Sequence, residues 1–370
     1  MSNKSQIRRN TFDKLLIAKS FFIIATLFCL LCFLYCILLV YGFTSGFGTD
    51  KIEGEVGDLI GGLSSPIIGL IAAVLTFLAF WIQYSFNVSQ TKSIKRQRKD
   101  SKMDRFESLF YQMIQIHRDN VSDTNIKDKS NGRRAFISMF KEFKFCHYIL
   151  AESYKDFLVK HPQSILDHEQ LLNISYLTFY FGIGESSETL VSSLLEDYDP
   201  EFLEMYFEKI KARQKEWINI KIGNEDLRRS NLLSSLKELK LSINFEGKDY
   251  EFSTGYKPFS GHLARLGHYY RHLYQIFEFV ERENPKNKAE YVRIARAQIS
   301  AHEQLLLYYS SLTPLGRSWW ENDYIQKFKL VKNIPLPLAS IEPIPIKKLA
   351  ATYFEWNKID PPSTKQISIS

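Results

Sequence analysis

Residues 59–91, LIGGLSSPIIGLIAAVLTFLAFWIQYSFNVSQT, contain no charged side chain. A second uncharged stretch covers residues 20–49. Each holds the roughly 20 apolar residues that cross a hydrocarbon core of about 30 Å. Two transmembrane helices are therefore expected, at 20–42 and 63–86, joined as a hairpin by a short loop at 43–62. The first is too long for the ~7–15-residue apolar region of a signal peptide, and no small-x-small cleavage site follows it. Basic residues flank the pair: Lys4, Arg8, Arg9, Lys14 and Lys19 before it, and Lys92, Lys95, Arg96, Arg98, Lys99 and Lys102 after it. Only Lys51 lies between, beside Asp50, Glu53, Glu55 and Asp58. Positive charge stays inside, so the expectation is a multi-pass protein of a bacterial-type inner membrane with both termini cytoplasmic.

The formal charge of +7 belongs to that topology. Residues 1–102 carry 12 Lys and Arg against 6 Asp and Glu, and the remaining 268 carry 36 against 35. A dominant nucleic-acid-binding stripe is thus not evident in the composition, whereas the run KSIKRQRKDSK at 92–102 can attract anionic lipid. Cys29, Cys32 and Cys36 fall in the first span and Cys146 beyond it. A reducing cytoplasm disfavours disulfides there, and no spacing makes a zinc site.

The fold class is mainly α: a transmembrane hairpin followed by an all-helical cytoplasmic domain. The map reads 1–19 as a basic tail, 87–102 as a basic juxtamembrane linker, 103–331 as the helical domain and 332–370 as a Pro-containing strap. Apolar spacing predicts helices over 104–121, 133–159, 165–181 and 185–196. Asp199–Pro200 supplies an N-cap and first-turn signal for a helix to about residue 217, with a weaker helix at 224–239. Residues 242–255 read as irregular with a short hairpin. Long helices follow at 258–283 and 288–312, turning at Asn284–Pro285, and another at 315–331. The strap should hold one short helix near 347–356. Leu263, Leu266, Tyr270, Leu273, Phe277 and Val280 form a 3–4 seam. In the next helix Gln298 falls within the seam, a candidate buried polar residue that needs hydrogen-bond partners.

Gly61, Ser65, Gly69 and Ala73 recur every fourth residue. Such a small-residue stripe lets helices approach closely in lipid, either the first span of the same chain or another copy in a homo-oligomer. Gly54, Gly57, Gly61 and Gly62 suggest a tight re-entry before the second span. In the domain, Arg265, His268, Arg271 and His272 mark a polar face suited to docking a partner. Arg265 with His272, or Arg296 with His302, could instead serve a membrane-tethered ribonuclease. Six residues at 100° each put Arg296 and His302 about 120° apart on a continuous helix, which opposes the second pair. No Gly-x-Ser-x-Gly, Walker, His-Glu-x-x-His or aspartate-rich metal motif is present. The sequence therefore points away from an enzyme, with no catalytic, cofactor or metal residues.

Several of these stretches resemble those of the phage abortive infection family, AbiC-like proteins. They are GEVGDLIGGLSSP (54–66) with WIQ (81–83), residues 106–121, GRRAF (132–136), YFGIG (180–184), GHYYRHLYQIFEFVE (267–281) and YVRIARAQISAHEQLLLYYSSL (291–312). This chain has Val56 where the family usually shows an aromatic residue, and His272 and Ser310 where Asn is common. Acidic or polar residues often replace His302. The resemblance implies two N-terminal spans, a helical cytoplasmic domain and a toxin-like antiviral defence effector at the membrane. Some members look like the membrane effector of a retron, which implies a reverse transcriptase and its RNA–DNA product as partners.

Overall fold

The computed structural model describes residues 23–38, 41, 42, 45, 53–126, 130–230 and 238–355. The chain divides into two compact units, Met1–Lys102 and Met103–Ser370.

In the first unit, α1 is an apolar helix at Ile23–Leu38. The rest of the 20–42 span and most of the 43–52 loop lie outside the described residues. α2, Glu53–Ser122, is one 70-residue helix. Among the described residues it alone is long and apolar enough to cross a membrane, from Ser64 onward. The expected hairpin is therefore met only in part.

α2 also corrects one expectation. The glycine-rich residues 54–62 are helical and not a tight turn, and the basic residues 87–102 that lead to the domain continue the same helix. Extending an existing helix needs no new nucleus, and this outweighs a propensity loss of roughly 1 kcal/mol per glycine. Pro66 sits inside α2, where it removes one backbone donor from the helix. One stripe of α2 is covered: Ser64, Ile67, Ile71 and Val74 partly, Leu78 fully. On α1 the least exposed residues are Ala25, Cys29, Cys32 and Cys36.

The second unit is mainly helical. A two-residue ladder pairs β1 (Asn125–Ile126) with β2 (Ser130–Asn131). α3, Arg133–Lys160, then runs through the centre of the core. Half of its 28 residues are buried, among them Phe136, Phe143, Phe145 and Phe157. A helix apolar on most sides must be enclosed on most sides. α4 (His168–Phe181), α5 (Glu185–Leu194) and α6 (Pro200–Arg229) follow. α3 packs against α4 and α6. Asp167 and Gln170 close a capping box on α4. Asp199 caps α6 by accepting from the N–H groups of Glu201 and Phe202. α6 runs past the expected residue 217 and takes in the start of the weaker 224–239 segment. Residues 231–237 of that segment lie outside the described residues.

The hairpin is real and longer than the sequence suggested. β3 (Lys240–Phe245) pairs antiparallel with β4 (Lys248–Ser253). Leu241, Ile243 and Phe245 alternate inward, and Tyr148 of α3 lies against Phe245 and Tyr250. α7 spans Leu263–Glu283, five residues shorter at its start than expected. Of its seam, Leu266, Leu273, Phe277 and Val280 are buried, Tyr270 is half-buried and Leu263 is exposed. Asn284 ends α7 in the left-handed region, followed by Pro285.

The single helix expected over 288–312 is two helices, α8 (Lys288–Arg296) and α9 (Ala301–Ser311). Ser300 is extended, and its N–H donates to Glu303 Oε2 at 2.6 Å. This is the start of a new helix. The helix expected over 315–331 is likewise replaced by single turns, α10 (Ser318–Glu321) and α11 (Tyr324–Lys327). Asp323 and Lys329 hold positive φ beside them. The strap packs inward through Leu336, Ala339, Ile341, Leu349 and Phe354, and includes α12 (Pro345–Lys348) and a 3-10 turn at Ala351–Tyr353. Tyr308 and Tyr309 donate to the carbonyls of Pro343 (2.8 Å) and Ile341 (3.1 Å). Residues 356–370 lie outside the described residues.

Candidate functional site

Residues from several of the quoted motifs meet at one junction of α2, α3, α7 and α9. The His117 ring of α2 lies 5.2 Å from the Tyr269 ring and 6.2 Å from that of His272, nearly parallel to the latter at 17°. Tyr269 also touches Phe136 at 4.9 Å. Arg133 donates from Nη2 to the Gln298 carbonyl at 3.1 Å. His272 meets the Met113 carbonyl through Nε2 at 2.9 Å. A carbonyl can only accept, so Nε2 carries the proton.

His117 is 1 % exposed. Neither of its ring nitrogens, nor the Tyr269 hydroxyl, nor Glu303 Oε1, meets a hydrogen-bond partner among the described residues. Burial first, then His272 and Arg133, lower the His117 pKa to about 4. Its ring is therefore neutral at physiological pH. Burial and then the neighbouring Glu303 carboxylate push the Tyr269 phenol well up. Imidazole, phenol and carboxylate together could move protons. Enclosed to this degree, they have no route to a substrate, so the junction is a polar core that ties four helices.

A second buried constellation lies at the start of α7. Glu142 of α3 is fully buried. Its Oε1 accepts from the Phe259 N–H at 2.7 Å, and its Oε2 meets His262 Nε2 at 3.1 Å and the Tyr256 hydroxyl. Burying a carboxylate is costly unless it is paired and hydrogen-bonded, and here three donors converge on one group. Burial, with the charge of Glu142, raises the Tyr256 phenol far above its usual range. The 256–262 segment is clasped to 180–184 by backbone bonds, His262 N–H to Tyr180 O (2.8 Å) and Ile183 N–H to Phe259 O (2.9 Å). This clasp is why α7 begins at Leu263 and not at 258. Glu142 and Tyr256 escaped the sequence reading. The available signal was a carboxylate within an otherwise apolar helix stripe, between Met139 and Cys146.

The docking residues separate. His268 and Arg271 are exposed, Arg265 is half-buried, and half-buried His272 donates inward to α2. Gln298 is not buried in a seam. It stands half-buried at the break between α8 and α9, and its Nε2 donates to the Ile294 carbonyl at 3.3 Å. Because α8 ends at Arg296, helix geometry does not fix the Arg296–His302 relationship. Arg296 Nη1 donates to the Phe328 carbonyl at 3.1 Å. His302 packs edge-on to Phe140 at 6.0 Å, its pKa lowered by burial and then by Lys141. Gly61, Ser65, Gly69 and Ala73 are exposed. A Cβ added at Gly61 or Gly69 would meet nothing within 4 Å. Among the described residues no group of three or more His, Cys, Asp or Glu is placed to hold a metal ion.

The class so defined is a mainly helical protein with a long apolar N-terminal helix and a polar-junction domain. Residues 261–337, about a fifth of the chain, match the family described as "Putative phage abortive infection protein". The match opens at Gly261 in the clasp and takes in Tyr269, His272, Gln298 and Glu303. No curated protein and no solved structure matches the chain.

Proposed function

We propose that this chain is a membrane-anchored effector of phage defence that kills the infected cell by compromising the inner membrane. The family match supports the defence role. The observation that carries the mechanism is on α2. Its covered stripe runs through Ile67, Ile71, Val74 and Leu78, and the small-residue stripe of Gly61, Ser65, Gly69 and Ala73 is left open. In this reading α1 and α2 form the membrane hairpin, with the small, less exposed stripe of α1 against the covered stripe of α2. The open stripe then serves other copies of the chain, because small residues let helices approach in lipid. Flanking Lys and Arg keep both termini in the cytoplasm. Two spans are too few to make a pore, so activity requires association. A cytoplasmic partner restrains it, and a retron reverse transcriptase with its RNA–DNA product is the candidate, docking on exposed His268 and Arg271.

The test is membrane potential and dye entry in infected cells. Collapse of the potential before lysis is expected, and intact potential in dying cells overturns the mechanism. Gly69→Leu adds its side chain to open space and should leave insertion unchanged while abolishing toxicity. Full toxicity from an inserted Gly69→Leu chain removes the stripe from the mechanism.

A further inference from the structure

We propose that the groove between α8 and the turn after α11 binds the phosphodiester backbone of a single-stranded nucleic acid. The groove is an open cavity of about 810 Å³ whose lining includes Lys288, Glu290, Arg293, Arg296, Lys327 and Lys329. It thus gathers five cations and one carboxylate. The 268 residues beyond Lys102 are otherwise almost balanced in charge, so this is a local concentration and not the average surface.

Two of the cations are already partnered. Glu281 forms ion pairs with both Lys288 and Lys327. Arg296 is oriented through one bond from Nη1 to the Phe328 carbonyl, and its remaining N–H groups keep the planar fork that suits a phosphate. Arg293 and Lys329 are exposed and make no ion pair among the described residues. Lys329 is held at φ 51°, a left-handed position that a lysine adopts at a cost and that often marks a working residue.

The arrangement favours a strand over a single phosphate. Arg293 and Arg296 lie about one turn apart on α8, some 4.5 Å along its axis by the helical rise, and Lys329 lines the same groove from the turn after α11. A row of cations meets successive phosphates, whereas a terminal phosphate needs cations converging on one point. Phe328, the aromatic residue of the lining, is buried and offers no face for base stacking. Affinity then comes from the backbone alone, so binding is indifferent to base sequence and strongly salt-dependent. All of these residues fall within 261–337.

The experiment titrates a fluorescein-labelled oligothymidylate strand with the full chain in neutral detergent, across a series of potassium chloride concentrations. Arg293→Ala with Lys329→Ala should weaken binding at least about tenfold and flatten the log–log salt slope by about 1.4, two counterions at roughly 0.7 each. Arg228→Ala with Arg229→Ala, an equal charge change at the exposed end of α6, should change neither. The proposal is overturned if the strand does not bind at low salt, or if both double variants weaken binding alike. It is also overturned if phosphatidylglycerol vesicles, and not the strand, lose binding in the groove variant. These readouts are independent of toxicity, so this inference and the membrane mechanism fail separately.

Discussion

Gly182 and Gly261 stand back to back. A Cβ on Gly182 would lie 2.5 Å from the Gly261 nitrogen, and one on Gly261 would lie 2.4 Å from the Phe181 carbonyl oxygen. Both residues hold φ +82°, a conformation that side chains resist. Gly182→Ala or Gly261→Ala should therefore destabilise the domain by at least about 3 kcal/mol, strain and backbone clash together. Thermal unfolding of the purified chain in detergent checks this. A change below about 1 kcal/mol would mean that the two loops can part freely.

Glu142 and His262 should behave as one unit. Glu142→Ala leaves His262 and the Phe259 N–H buried without their acceptor, and His262→Ala leaves part of the carboxylate unpaired. Each single change should cost about 2–4 kcal/mol. The double variant should cost at least 1 kcal/mol less than their sum, as contacting partners do. Additive losses in a denaturant titration would show that Tyr256 and Phe259 alone hold the carboxylate.

His117 gives a pH signature. Its folded pKa of about 4 lies below the ordinary value of 6.5. As pH falls below about 6.5, the unfolded chain takes up a proton that the folded chain refuses. Stability is therefore lost between about pH 6.5 and 4, by up to about 3 kcal/mol. The facing groups, His272, Arg133 and Tyr269, are retained in His117→Leu, which should lose this share of the slope and be at least as stable at neutral pH. His147, also held near pKa 4 by burial, and His302, lowered by burial and then by Lys141, contribute to the slope that remains. Identical profiles for the parent and the variant would contradict the enclosed, neutral ring.

What was legible in the sequence was local. Asp199–Pro200 and Asn284–Pro285 carry their helix ends in two adjacent residues, and both ends are legible there. The break at Ser300 was equally local. Ser-Ala-His-Glu is the S-x-x-E signature of a helix start, but the apolar spacing of its neighbours continues across it and predicts one helix. The clasp was not legible, because Glu142 finds its partners 114 and 120 residues further along the chain. The helical course of residues 53–62 was hidden by glycines whose propensity points to a loop.

The strap is also a clock. Tyr308 and Tyr309 gain their acceptors only when Ile341 and Pro343 have been made. The apolar part of α2 is complete some 250 residues earlier. At 5–20 residues per second, synthesis leaves an interval of roughly 10–50 s in which the apolar helix exists and the domain behind it cannot yet close. Any restraint that depends on the finished domain can begin only after that interval.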